Sequence, residues 1–258
     1  MPDHQVMAYE ECVRRLIGQQ AVLRAVLESG DLSAAVPACP GWNLTDLAGH
    51  IGQLHRWVSV AITQGHPNAP TSRVPAGRAA LLDWWDGGAG ALVDLLGGTD
   101  PDEPCWTFGP HPRTARFWPR RQLHEHAVHA VDALESQGSP VPDSIDPALA
   151  ADGIDEVAAM FFPRQVRLGR IPALTRSLAV RPTDVAGAGR WVLAGDGLDA
   201  SGAASEGADP VPAEATVSGP ASALYLLLWR RTGLDDPRLS IAGDESAARS
   251  VLGAAIVP

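Results

Sequence analysis

Apolar residues recur at helical spacing through the first half of the chain and in short strand-like runs through much of the second. Residues 7 to 27 place Cys12, Val13, Leu16, Ile17, Leu23, Val26 and Leu27 at helical spacing, and Ser29-Gly30-Asp31 ends this first helix. An extended, turn-rich approach follows, VPACPGWN, in which two prolines and a glycine disfavour helix. Asn43 and Asp46 then stand three apart, a capping box with the shorter acid. The helix they open, Leu44 to Thr63, turns Leu47, Ile51, Leu54, Val58 and Ile62 inward, with His50 and His55 on opposite edges of the stripe. A third helix runs from about Arg78 to Leu96, and its Trp84-Trp85 pair is assigned to the core. Gly97 to Arg116 is a long connection rich in Pro and Gly, carrying Trp106 and Phe108. Four helices with these connections predict a four-helix bundle whose fourth member lies within Phe117 to Leu134.

The pattern changes after a polar, Pro-bearing linker at Gln137 to Pro147. A helix from Pro147 to Phe162 gives way to SLAVRPTDV, RWVLAGDG and EATVSGP, short runs bounded by turn residues. Pro220 opens a helix expected to run from Ala221 to Thr232, where Gly233 stops it; RLSIAGD adds a strand and ESAARSVLGAAI a last helix. The fold class is therefore α+β in two domains, 1–140 and 147–258, the second a mostly antiparallel sheet with helices on one face. The AGAG and AGDG turns lack the strand-loop-helix context of a phosphate loop.

The fourth helix, FWPRRQLHEHAVHAVDAL, concentrates the candidate chemistry. Glu125 and His129 are four apart and Asp132 three further on, so all three share a face. Leu123, Ala127, Ala130, Val131 and Leu134 form a stripe roughly opposite. Two readings are open at this point: a solvated face of a bundle helix, or half of a metal site that needs a third ligand from elsewhere. His50 is placed to reach such a site from the edge of its own stripe. His124, His126 and His55 point elsewhere and are not expected to be ligands.

Composition narrows the classes. A net charge of −10 and the lack of any basic run argue against a nucleic-acid partner. No stretch approaches the ~20 apolar residues that span a bilayer, and the N-terminus has neither the basic nor the apolar region of a signal peptide. Three widely spaced cysteines without CxxC fit reduced thiols in a cytoplasmic protein and are assigned as filler.

Taken together, VPACPGWNLTDLAGHIGQLHRW, CWTF, FWPRRQLHEHAVHAVDAL, ATVSGPASALYLLLWRRTG and RLSIAGD resemble the mycothiol-dependent maleylpyruvate isomerase family of actinobacteria. The resemblance spans nearly the whole chain. It implies a DinB-like four-helix metal-binding domain followed by a small sterol-carrier-like α/β domain. It implies a divalent metal, zinc in the family, on His50, Glu125 and His129, and an arginine supplied by the second domain: Arg231 by preference, with Arg230 beside it. It implies an enzyme that holds a thiol cosubstrate, mycothiol, as thiolate for attack on an electrophilic small molecule, as in cis–trans isomerisation of maleylpyruvate. A mycothiol S-transferase for detoxification or natural-product biosynthesis is the alternative; a metal-dependent hydrolase and a non-catalytic binding protein are others. One departure stands out: where the family commonly reads VHRWD, this chain reads VHAVD. That leaves the ligands intact and bears on the substrate.

Overall fold

The computed structural model describes residues 7–139, 145–187, 189–197 and 212–258, which fall into two compact units, one within residues 7–142 and the other within 143–258. Residues 140–144 of the expected linker lie outside the described residues.

The first unit is a four-helix bundle: α1 (Tyr9–Ser29), α2 (Leu44–Gln64), α3 (Arg78–Gly98) and α4 (Phe117–Ser136). α1 and α2 each pack against both α3 and α4. Leu16, Leu27, Leu44, Leu47, Ile51, Leu81, Trp85 and Leu92 are almost wholly buried, each contributing about 1.5–3 kcal/mol through the water it sheds. The capping box forms in full: the Asn43 side chain accepts from the Asp46 amide at 3.0 Å, and the Asp46 carboxylate accepts from the Asn43 amide at 3.0 Å. Those bonds fix the start of α2 and hence the height of His50 along it.

Glycine sets the approach of α2 to α3. A Cβ at Gly52 would run into the ring of Trp84, so only glycine admits the indole there. Trp84 donates to the Ser72 hydroxyl at 3.0 Å, and the Arg56 guanidinium lies 4.1 Å from its ring centroid. Of the tryptophan pair, Trp85 is the one in the core; Trp84 ties α3 to the segment that follows α2.

α4 departs from the wheel. Its polar residues are buried along with its apolar ones: His124, His126 and Asp132 are fully covered and Arg121 nearly so. No face of this helix between Trp118 and Ala133 is simply solvated, which removes the first of the two readings. The polar groups are tolerated there because they pair across and along helices, as buried polar groups must. Ala130 and Val131, the departure from the family pattern, are buried in the bundle.

The second unit begins with α5 (Pro147–Glu156), which runs through a π-helical stretch (Val157–Phe161) into α6 (Phe162–Arg167), so the helix expected to end at Phe162 continues. Strands β1 (Leu174–Pro182), β2 (Trp191–Gly195), β3 (Ala215–Gly219) and β4 (Ser240–Gly243) form one sheet in the order β2-β1-β3-β4. β1 pairs antiparallel with β2 and β3 with β4, whereas β1 and β3 are parallel. α7 (Ala221–Leu228), buried along its whole length, packs on α5 and on the sheet, and α8 (Glu245–Gly253) packs on β1 and β3.

α7 is shorter than expected. The chain leaves the helix at Trp229, and Arg230 takes a left-handed conformation with φ 61°. The Arg230 amide donates to the Leu227 carbonyl at 3.0 Å and the Arg231 amide to the Leu226 carbonyl at 2.8 Å. This is a Schellman closure with arginine where glycine is favoured. Neither Arg230 nor Arg231 is therefore on the helix. The Arg230 side chain donates to the carbonyl of Ala254 at 2.6 Å, and Arg231 to that of Trp229 at 2.7 Å.

Candidate metal centre

The capped start of α2 and the i, i+4 geometry of α4 bring His50, Glu125 and His129 together. One ligating atom from each lies within 4.8 Å of the others. His50 Nε2 is 3.0 Å from Glu125 Oε1, and His129 Nε2 is 3.4 Å from the same oxygen. The two imidazole centroids are 5.1 Å apart. A second cluster shares a member with the first: Cys39, His129 and Asp132 also meet within 4.8 Å.

The surrounding bonds orient these donors. His129 Nδ1 donates to the Asp132 carboxylate at 2.8 Å, which turns the ring so that Nε2 faces Glu125. Arg121, one turn before Glu125, donates to its other oxygen at 2.6 Å. Burial acts to raise the Glu125 pKa, but the Arg121 guanidinium and the bonds from His129 and His50 outweigh it and hold the carboxyl well below its usual range. Burial also acts to lower that of His129, and its bonds with Asp132, Cys39 and Glu125 reverse the direction, to well above the ordinary value. Both directions show a cluster that favours positive charge between its carboxylates.

The donor set fits a divalent ion. Donors some 2.0–2.2 Å from a tetrahedral zinc stand roughly 3.3–3.6 Å apart, and the 3.0 and 3.4 Å separations are close to that edge. Two neutral imidazole nitrogens and one carboxylate oxygen are borderline ligands, suited to zinc and its neighbours rather than to calcium.

Three contributors went unrecognised in the sequence. Trp42 lies in the approach to α2, its ring 5.0 Å from that of His50 and stacked 6.4 Å from that of His129. Cys39, assigned as filler, has its sulfur 3.7 Å from the Asp132 carboxylate. Arg121 could have been found, since Arg121, Glu125 and His129 form one line at i, i+4 and i+8. Trp42 and Cys39 could not, because only the fold brings the extended segment back over α4.

The remaining histidines of the motif belong elsewhere. His126 and His55 form a buried pair, Nε2 to Nε2 at 2.8 Å, and neither belongs to a ligand cluster among the described residues. His124 is fully buried. Arg230 and Arg231 stand at the closure of α7 in the second unit, as described above.

A family model described as the mycothiol maleylpyruvate isomerase N-terminal domain matches residues 13–134, and a model of the MDMPI C-terminal domain matches residues 148–250. A crystal structure of the mycothiol-dependent maleylpyruvate isomerase is similar at a TM-score of 0.59 and 15% identity, covering 92% of this chain and 95% of that one. The crystal structure of a histidine-to-alanine mutant of that enzyme is similar at a TM-score of 0.61, with the same identity and coverage. At this identity the likeness shows the two-domain fold. A comparison with curated protein sequences finds no match.

Proposed function

The chain belongs to the mycothiol maleylpyruvate isomerase family, and from that premise we propose that it is a metal-dependent enzyme using a small-molecule thiol, mycothiol, against an electrophilic small molecule. Cis–trans isomerisation of maleylpyruvate is the reference reaction. The observation that carries the reading is the convergence of His50, Glu125 and His129 on one another. These residues would hold a divalent ion, zinc by resemblance, which supplies a Lewis acid able to keep a thiol ionised at neutral pH, below its ordinary pKa of about 8.5.

The chain's own groups do the rest. Asp132 keeps the His129 proton on Nδ1, so that Nε2 remains a donor. Arg121 keeps Glu125 ionised and occupies one of its oxygens, leaving the other to face the imidazoles. Trp42 covers a flank of both rings. We assign the substrate's carboxylate or enolate to Arg231, since a guanidinium matches such a group bidentately. Arg230 bonds the Gly253 and Ala254 carbonyls and Arg231 that of Trp229, so the preference for Arg231 rests on the family resemblance.

The test uses zinc-loaded protein, a thiol and an electrophile such as a chlorinated dinitrobenzene. His50→Ala and His129→Ala should each lose stoichiometric metal and thiol-dependent turnover together. With maleylpyruvate in place of the chlorinated dinitrobenzene, isomerisation returns the thiol whereas S-transfer consumes it, so a thiol balance on that substrate separates the two activities. Hydrolysis without thiol would replace this reading with the hydrolase, and tight ligand retention without turnover with the binding protein. Arg231→Ala should lower turnover roughly a hundredfold while metal content and melting temperature stay almost unchanged. If Arg230→Ala does so instead, the assignment passes to that residue.

A further inference from the structure

The proposed metal centre has a chamber beside it within the bundle unit. A cavity of about 320 Å³ is lined by His50, Gln53, Leu54 and Trp57 of α2 and by Ala69, Pro70 and Thr71 of the segment that follows. His50 thus contributes to the donor cluster on one side and to this chamber on the other. A molecule seated in it lies next to the reacting centre.

Most of the polar atoms in the wall are already engaged. The Gln53 amide grips the backbone of Ser72 at both ends: its Nε2 donates to the carbonyl, and its Oε1 accepts from the amide at 3.0 Å. The Trp57 indole donates to the Pro67 carbonyl at 2.7 Å, and its ring is wedged edge-on between Trp106 and Trp118, 5.5 and 5.3 Å away. Among the described lining residues there is no arginine and no carboxylate. Arg56, on the same helix, is spent on the carbonyls of Gly52 and Trp84. Beyond His50 at the metal-centre end and the Thr71 hydroxyl, what the wall offers a ligand is a leucine, a proline, an alanine and a fixed indole. An ionised carboxylate placed against that wall, away from the His50 end, would give up hydration without an arginine to pair with among the described lining residues.

We infer that this chamber is a substrate subsite for an uncharged, largely apolar body, so that the electrophile this chain serves carries a neutral apolar or aromatic group next to its reactive carbon rather than a second carboxylate. The inference rests on the reading of the centre as the place of reaction, and it names the class of substrate that centre takes. The size suits such a group: 320 Å³ lies at the small end of ligand pockets and accommodates a single ring with a short side arm.

The probe is a matched pair, cinnamate and 4-carboxycinnamate, which share the propenoate and its alkene and differ in the charge carried by the ring. Binding is read by saturation-transfer NMR on the zinc-loaded protein with no thiol present, so it does not depend on turnover. Cinnamate should bind at least fivefold more tightly than the diacid. Ala69→Trp and Leu54→Trp each fill the chamber and should weaken cinnamate at least fivefold, with bound zinc unchanged. Two variants are used because Leu54 also packs on the bundle core, and circular dichroism identifies a variant that has not folded. Equal or tighter binding of the diacid, no binding of cinnamate, or cinnamate binding that survives in both folded variants overturns the inference. If thiol turnover fails while cinnamate still binds as expected, the reading of the reaction falls and the subsite stands.

Discussion

Asp132 and Arg121 touch the donor residues without belonging to them, and each should have its own signature. Asp132→Asn keeps the shape of the acceptor but removes its charge, so His129 is no longer held in one tautomer. Zinc affinity, measured by competition with a chelator, should fall about 10–100-fold while the helical signal is unchanged. An unaltered affinity would reduce Asp132 to a packing residue. Arg121 is 3% exposed and faces a carboxylate that is itself largely covered. Replacing it by Met strands that charge and should cost about 2 kcal/mol or more in urea unfolding of chelator-treated protein. Adding Glu125→Gln should recover most of the loss, because no charge is then left unpaired; a double variant as unstable as the single one would contradict the pairing.

At the scale of elements, the close approach of α2 to α3 depends on Gly52. Gly52→Val drives two methyls into a Trp84 ring that Ser72 and Arg56 hold in place, and should destabilise the bundle by about 1–3 kcal/mol. The same helix carries a pH liability in His55. Burial, with the nearby His126 and Arg56, holds its pKa well below the ordinary value. The unfolded chain takes up a proton near pH 6.5 that the folded chain refuses, so stability falls as the pH drops below that value. For this one site the loss between pH 7.5 and 5.5 is about 1.4 kcal/mol. Comparing unfolding at the two pH values, His55→Gln should show the shallower dependence; an identical one would mean that His55 is protonated in the fold.

Helix positions were legible because periodicity, the Asn43 cap and Pro- and Gly-bearing connections are local signals. The Glu125–His129 pair was legible for the same reason, being one turn apart. What escaped the sequence was non-local. For His124 and His126 the helical spacing predicts only that they point away from the ligand face; that both are buried, His126 bonded to a histidine 71 residues away, has no local signal. The early end of α7 was invisible because its stop is an arginine in a glycine's conformation, with Gly233 offering a plausible false stop.

Across the whole molecule, metal should act on one unit only. An ion held by α2 and α4 stabilises the bundle by its binding free energy and has no described ligand in the sheet. Chelation should therefore speed amide exchange in Leu44–Gln64 and Phe117–Ser136 while the amides of β1 and β3 keep their protection. Faster exchange in the strands as well would show the two units unfolding as one.

The segment over the chamber is held by side chains that reach it at two backbone points, Pro67 and Ser72. Ala69, Pro70 and Thr71, which face the chamber, lie between those points. A ceiling hung this way can be rewritten without moving its supports. A small library confined to these three positions would sample new chamber shapes on an unchanged bundle, making the protein a scaffold on which thiol-dependent chemistry could be retargeted one electrophile at a time.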